Sequence, residues 1–283
     1  MPDRIKDLAG PGRGHEVQIE TSEDEGCETM QNIDSAIIGS DRLVETNPEI
    51  EAVIFDLDGT LLDTLDDLAY AGNQVLLAHD LPADPVDAYK QFVGAGARHL
   101  MQRAFAAAGR PLDVADPWLD QLAVEFGQVY DTCWSMQTKP YPGIQTLLDD
   151  LSALGVDLMI LSNKPDVFTR KIAHHFFADI PFSAVCGKQA DWPLKPDPSL
   201  ALDLCGRRGI TAGRTVFVGD SGSDMQTGRN GHFLPLGVLW GFRSADELIE
   251  NGAARLFREP AQLGEWLVRH ADKKRIRQIH FAN

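Results

Sequence analysis

The apolar run Val53-Ile54-Phe55 stops abruptly at Asp56-Leu57-Asp58-Gly59-Thr60. Two β-branched residues and an aromatic one, closed by an Asp-Gly turn, predict a buried strand whose end delivers two carboxylates. Side chains alternate along a strand, so Asp56 and Asp58 point the same way and Leu57 faces the opposite side. Like charges that close repel unless a cation or a shared proton compensates them. A strand ending in an Asp-Gly turn is also ordinary structure, so the reading depends on which partners for these carboxylates occur downstream.

With 283 residues, 43% of them hydrophobic, the chain can build a sizeable core in one or two domains. No run of about 18 apolar residues is present. The opening MPDRIKDLAG lacks the apolar centre of a signal peptide, so the expectation is a soluble protein, neither membrane-spanning nor secreted. Cys27, Cys133, Cys186 and Cys205 are far apart and form no CxxC pair, which fits reduced thiols in a cytoplasm better than disulfides or zinc. The net charge of −16 argues against a nucleic-acid binder, whose affinity rests on Lys and Arg neutralising phosphates. Residues 1–50 carry a net of −8, from twelve acidic and four basic residues, with few aromatics and little periodicity. Residues 1–48 are therefore expected to form an acidic, disordered extension, solvated rather than partner-binding. Residues 271–283, with Lys273, Lys274, Arg275 and Arg277, read as a solvated basic tail.

After Thr64 the pattern becomes helical. Leu65, Leu68, Ala69, Gly72, Val75, Leu76 and His79 recur at three-to-four spacing, as do Leu100, Met101, Ala104, Phe105 and Ala108, and a third helix is expected through WLDQLAVEFGQVYDTCW. Residues 65–138 thus read as an all-helical cap inserted after the first strand and placed to cover its carboxylates. The Gly94-Ala95-Gly96 loop within it lacks a third glycine and follows no strand, so it is no dinucleotide site. From residue 139 strands and helices alternate: IQTLLDDLSALG as helix, VDLMILS as strand ending at Ser162-Asn163, then FSAVCG, a helix after LKPDP, and TVFVGDS. Such alternation predicts an α/β architecture of βαβ units, a parallel sheet with helices on both faces, over residues 49–64 and 139–270.

In open α/β sheets ligands bind beyond the carboxyl ends of the strands. Asp56 and Asp58 end the first strand, Ser162 and Asn163 the second, Asp220 ends TVFVGD, Asp224 follows four residues on, and Lys195 occupies a loop. Each alone is an ordinary cap or turn. Together, carboxylates, a hydroxyl and an ammonium without histidine suit a hard cation and a phosphate. Magnesium prefers such oxygen ligands, Lys195 supplies a point charge to phosphate oxygens, and Ser162 with nearby backbone amides supplies hydrogen bonds. An aspartate can attack phosphorus to form an acyl phosphate while a second carboxyl serves as acid, then base.

As a set, DLDGT (56–60), SNK (162–164), KPDP (195–198) and GDSGSD (219–224) resemble the four ordered motifs of the haloacid dehalogenase superfamily. The resemblance spans roughly residues 50–270. It implies a Rossmann-like core with a helical cap, Asp56 as nucleophile, Asp58 as acid/base and backbone-carbonyl metal ligand, and Ser162 and Lys195 as phosphate-binding groups. Asp56 and Asp220 become Mg2+ ligands and Asp224 a supporting residue, while Thr60 and Asn163 join the phosphate-binding set. Members that do not protonate an ester leaving group, such as the dehalogenases, lack the counterpart of Asp58, so its presence favours phosphate monoesters. FDLDGTLLDT, YPGI, SNKP and LKPDP, with GxG in the cap, most resemble phosphoglycolate phosphatases. The stretch after Asp224, MQTGRNGHFLPLGVLWG, departs from the usual small-residue run, though Gly228 and Gly231 keep part of that character.

The expected function is therefore a Mg2+-dependent phosphatase acting on a small phosphorylated metabolite, with 2-phosphoglycolate the leading candidate, through a phosphoaspartyl intermediate. Arg98 is the candidate for a substrate carboxylate, against the ordinary alternative of a solvated helix cation. Two alternatives remain open: a phosphosugar mutase using the same aspartates, and a catalytically idle binding protein recruiting a partner through its acidic arm. Oligomeric state is left open.

Overall fold

The computed structural model describes residues 49–271. The acidic extension over 1–48 and most of the basic tail lie outside the described residues. Strand β1 (Ala52–Phe55) is buried at every position and lies inside a six-stranded parallel sheet ordered β5-β4-β1-β6-β7-β8. Its neighbours are β4 (Asp157–Pro165) and β6 (Thr215–Gly219), and beyond them are β5 (Ala184–Lys188), β7 (Leu234–Val238) and β8 (Arg255–Phe257). Alternation along β1 divides the core. Val53 and Phe55 join one buried cluster, and Ala52 and Ile54 join another with Met159, Leu161 and Phe217. A strand buried on both faces needs no polar side, which is why the run reads as unbroken apolar sequence.

The ribbon β2 (Leu62–Asp63) and β3 (Lys139–Pro140) pairs antiparallel and brackets four helices, α1 (Leu65–Ala78), α2 (Tyr89–Phe92), α3 (Ala97–Ala107) and α4 (Trp118–Cys133). The expected periodic residues are the buried ones: Leu68, Ala69, Val75 and Leu76 in α1, and Leu100, Met101, Ala104 and Phe105 in α3. His79 lies just beyond α1, where its Nε2 meets Glu125 Oε2 of α4 at 2.7 Å. The helices flanking the sheet are α5 (Ile144–Ala153), α6 (Asp166–Phe176), α7 (Ser199–Gly206), α8 (Gly222–Asn230), α9 (Ala245–Glu250) and α10 (Pro260–His270). Among the described residues no helix is long and apolar enough to cross a membrane, and Cys133, Cys186 and Cys205 are buried free thiols.

Two features differ from the sequence expectation. Strand β4 does not stop at Ser162 but runs to Pro165, because after an irregularity in register Pro165 pairs with Lys188 of β5. The divergent segment after Asp224 contains β7, which extends the sheet, and Gly228 lets α8 lie against it: a Cβ there would meet Pro235 at 2.7 Å.

The helical insert is tied to its base by one buried carboxylate. Asp67, in the first turn of α1, accepts hydrogen bonds from Gln137 N, Thr138 N and Thr138 Oγ1 (2.7–3.1 Å), so the chain leaving the insert is clamped to the chain entering it. Because Asp67 is only 1% exposed, its loss leaves buried donors unsatisfied. Asp67→Ala is expected to lower stability by about 2 kcal/mol or more, measured by urea denaturation; a change under about 0.5 kcal/mol would show that these bonds are replaced by water.

Candidate active site

Register places the site. Phe55, the last residue of β1, lies beside Ile160 of β4 and Val218 of β6. One residue further along β1 is Asp56, two beyond Val218 is Asp220, and two beyond Ile160 is Ser162. Three neighbouring strands thus bring their polar ends to one edge, where a cavity of about 80 Å³ is bordered by Asp56, Asp58, Ser162, Asn163, Lys164, Lys195 and Asp220. The insert supplies the facing wall with Leu68, Val93, Leu100, Phe126 and Tyr130. Leu57 is fully buried on the other side of the chain, as strand alternation requires.

The two carboxylates of the first motif have different partners. Lys195 Nζ lies 2.8 Å from Asp56 Oδ1 and 2.7 Å from Asp224 Oδ1. Lys164 Nζ instead takes both oxygens of Asp58, at 2.8 and 2.9 Å, and lies 4.6 Å from the centre of the Tyr130 ring. Burial, joined by the charges of Asp224 and Asp58, pushes the Asp56 carboxyl up to about 7 against the downward pull of Lys195. Asp220 is raised well above the usual carboxylate range by burial and by the charges of Asp224 and Asp56. Burial pulls both ammonium groups down, yet the adjacent carboxylates outweigh it and hold Lys164 and Lys195 above their ordinary value.

Asp220 is held from two sides. Its Oδ2 accepts from Phe242 N at 2.7 Å and its Oδ1 from Thr60 Oγ1 at 3.3 Å. Gly59, at φ +83°, leaves the space that this carboxylate fills, since a Cβ there would collide with it. Asp224 stands at the third position of α8 in a reciprocal capping box with Ser221, which fixes the carboxylate that meets Lys195. Oxygens of Asp56, Asp220 and Asp224 lie within 4.8 Å of one another. Asp56 Oδ1, though near Lys195, is poorly aligned with it and has no hydrogen-bond donor among the described residues. Three buried carboxylates with a spare oxygen and no nitrogen or sulfur ligand fit a hard divalent cation.

Several residues play parts other than those expected from sequence. Asn163 does not offer its amide to the cavity: Oδ1 accepts from Lys195 N at 2.9 Å, and Nδ2 donates to Lys195 O and to Gly94 O of the insert. It therefore positions the Lys195 backbone and joins insert to sheet. Thr60 is 1% exposed, and its hydroxyl is turned to Asp220 rather than into the cavity. Arg98 is a correction. Its Nε donates to Asp120 Oδ1, Nη1 to Val114 O and Nη2 to Asp116 O, at 2.6–3.0 Å, because α3 presents it to the 114–120 segment, and it does not border the cavity. Ser162 does border it, with Oγ accepting from Lys164 N at 3.3 Å. Sequence reasoning assigned no role to Lys164, although it is the third residue of SNK and follows two strand-end polar groups. It also passed over Arg243, which borders the cavity but belongs to no motif.

Comparison with known proteins agrees with this geometry. A family model described as haloacid dehalogenase-like hydrolase matches residues 50–232. A Caulobacter vibrioides phosphoglycolate phosphatase is 35% identical over 204 residues, covering 72% of this chain and 84% of the relative. One from Psychrobacter arcticus is 30% identical over 221 residues, covering 77% and 96%. A crystal structure from Lactobacillus delbrueckii subsp. bulgaricus, whose phosphoglycolate phosphatase name is provisional, superposes with a TM-score of 0.72 at 29% identity, covering 77% of this chain and 98% of that one. With its ordered motifs converging on one sheet edge as well, the chain belongs to the haloacid dehalogenase-like hydrolases.

Proposed function

We propose that the chain is a Mg2+-dependent phosphatase that hydrolyses a small phosphate monoester, with 2-phosphoglycolate the leading substrate, through a phosphoaspartyl intermediate on Asp56. The observation that carries this reading is the separation of the two motif aspartates: Asp56 faces Lys195 and Asp58 faces Lys164, over one cavity. Two carboxylates with different partners can take different roles. The names of the curated relatives supply the candidate substrate.

In the proposed cycle a carboxylate oxygen of Asp56 attacks phosphorus, the ester P–O bond breaks, and the leaving oxygen takes a proton from Asp58. Water then attacks phosphorus, Asp58 receives its proton, and phosphate leaves as Asp56 is regenerated. Lys195 and Ser162 hold phosphate oxygens. Lys164 occupies both oxygens of Asp58, so the acid role requires one of them to exchange the ammonium for the leaving group. Asp56, the backbone carbonyl of Asp58 and Asp220 would hold the cation, with Asp224 as the supporting carboxylate beside them, and its chemistry would be to offset the negative charge gathered between carboxylates and phosphate. The helical insert acts as the cap, lining the cavity and excluding bulk water.

Asp56→Asn is expected to abolish phosphate release from a panel of 2-phosphoglycolate, hexose phosphates, nucleotides and pyrophosphate while leaving the melting temperature within a few degrees; retained turnover would remove Asp56 as nucleophile. Conversion of a hexose 1-phosphate to its 6-phosphate without phosphate release would instead select the mutase.

Lys164→Met leaves Asp58 buried without its cation. Stability is expected to fall by about 3 kcal/mol, measured by urea denaturation, and most of the loss to be recovered when Asp58 is also replaced by Asn; a loss unchanged in the double variant would show that packing over Tyr130, not the ion pair, is what was lost.

The raised carboxyls give opposite pH trends with and without metal. In the metal-free fold, Asp56 and Asp220 hold protons that an unfolded chain releases near pH 4. Their stabilisation is full below that pH and is lost as pH rises through about 7 for Asp56. A bound cation needs both ionised. Differential scanning fluorimetry should therefore show a Mg2+-induced rise in melting temperature that is larger at pH 8 than at pH 5.5; an equal rise at both would place the cation elsewhere.

A further inference from the structure

Three cationic side chains border the cavity: Lys164 pairs with Asp58, Lys195 with Asp56 and Asp224, and the third, more loosely, with Glu247 outside the aspartate cluster. The third is Arg243. Its side chain is 10% exposed, and no carboxylate of the aspartate cluster is paired with it. Two of its three nitrogens are anchored. Nη2 donates to Val93 O of the insert at 2.7 Å, and Nε lies 3.4 Å from Glu247 Oε1. Glu247 is in turn steadied by Gly222 N at the start of α8. The remaining nitrogen, Nη1, is buried with no hydrogen-bond partner among the described residues. An unpaired buried guanidinium nitrogen is costly, and a planar fork held at its other nitrogens is preorganised to donate to an anionic oxygen there.

The backbone that carries Arg243 is fixed against the catalytic strands. Phe242 N donates to Asp220, and Gly241 packs so closely on Asp220 and Gly59 O that a Cβ has no room. Arg243 thus belongs to the cavity wall next to the aspartate cluster while touching the insert. With Lys195 and Ser162 assigned to phosphate in the proposed cycle, Arg243 is the cavity-wall cation that still has an unused donor, Nη1, for a second negative group.

We propose that Arg243 is a specificity-determining residue that binds, through Nη1, a carboxylate carried by the substrate beside its phosphate ester, the task for which sequence offered Arg98. The assignment rests on the phosphatase reading and narrows it from phosphate monoesters to phosphorylated carboxylic acids. Val93 O and Glu247 orient the fork, and the substrate carboxylate completes it.

The test compares kcat/KM for 2-phosphoglycolate and for ethyl phosphate, its counterpart without the carboxylate, in the wild type, Arg243→Gln and Arg243→Lys with Mg2+. The wild type should prefer 2-phosphoglycolate. In Arg243→Gln the ratio of the two kcat/KM values should fall about 10- to 100-fold, mainly because KM rises for the carboxylate-bearing ester, and Arg243→Lys should restore part of it. Equal losses on the two esters would make Arg243 only a tie between insert and sheet and overturn the proposal. A wild type that hydrolyses both equally well would overturn it too, leaving the phosphatase reading intact. Should the wild type hydrolyse neither, that reading fails, and thermal shifts decide the binding claim separately: stabilisation by 2-phosphoglycolate but not by ethyl phosphate, lost in Arg243→Gln, supports it, and no difference between the ligands overturns it. Melting temperatures of the ligand-free variants identify any that fail to fold.

Discussion

The site depends on packing four aspartates against two lysines in a volume from which water is largely excluded. Carboxylates this close repel, and burial adds a desolvation cost to each charge. Lys195 offsets it by lying between Asp56 and Asp224, and Lys164 by gripping Asp58. Asp220 has neither lysine; it accepts from Phe242 N and Thr60 Oγ1, and burial with the charges of Asp224 and Asp56 raises its carboxyl well above the usual range despite Arg243 nearby. An imbalance of this kind, with oxygen ligands facing one another and a spare lone pair on Asp56, is what a divalent cation relieves. A cation held there would couple its own affinity to fold stability through the same carboxyl groups.

Backbone devices hold that electrostatic arrangement still. Gly59 and Gly241 bring two loops against Asp220, the capping box fixes Asp224, and Asn163 pins the main chain of Lys195 on both sides. Asn163 and Arg243 also reach the adjacent carbonyls of Gly94 and Val93. The insert is thus bonded to the sheet by residues that themselves position Lys195 or border the aspartate cluster. At its base the Asp67 clamp binds the entering and leaving strands of the insert to each other. The insert is restrained at its root and at its tip, with the cavity between.

Motif residues were legible because their chemistry follows from position on a strand. An apolar run that ends in Asp-x-Asp, and further runs ending in Ser-Asn and Gly-Asp, have to meet at one edge of a parallel sheet, whatever the loops do. Helix periodicity likewise marked the buried faces of α1 and α3. Less legible were side chains whose role is decided by what lies opposite them. Arg98 reads as a cation on a helix near a glycine loop, yet the direction of α3 turns it to the 114–120 segment. Asn163 and Thr60 carry groups suited to phosphate and spend them on Lys195 and Asp220.

What the sequence by itself determined was the order of the strand-end groups, the helical pattern within residues 65–138 and the donor chemistry of oxygen and ammonium, since strand alternation, helical period and side-chain type are local properties. Only the tertiary structure decided the pairing. Lys164 became the partner of Asp58 through the extension of β4 past Ser162, and Arg243 became part of the cavity wall through the close packing of Gly241 on Gly59. Those outcomes depend on contacts between residues more than one hundred positions apart, where distance and burial, not sequence spacing, set which charges meet.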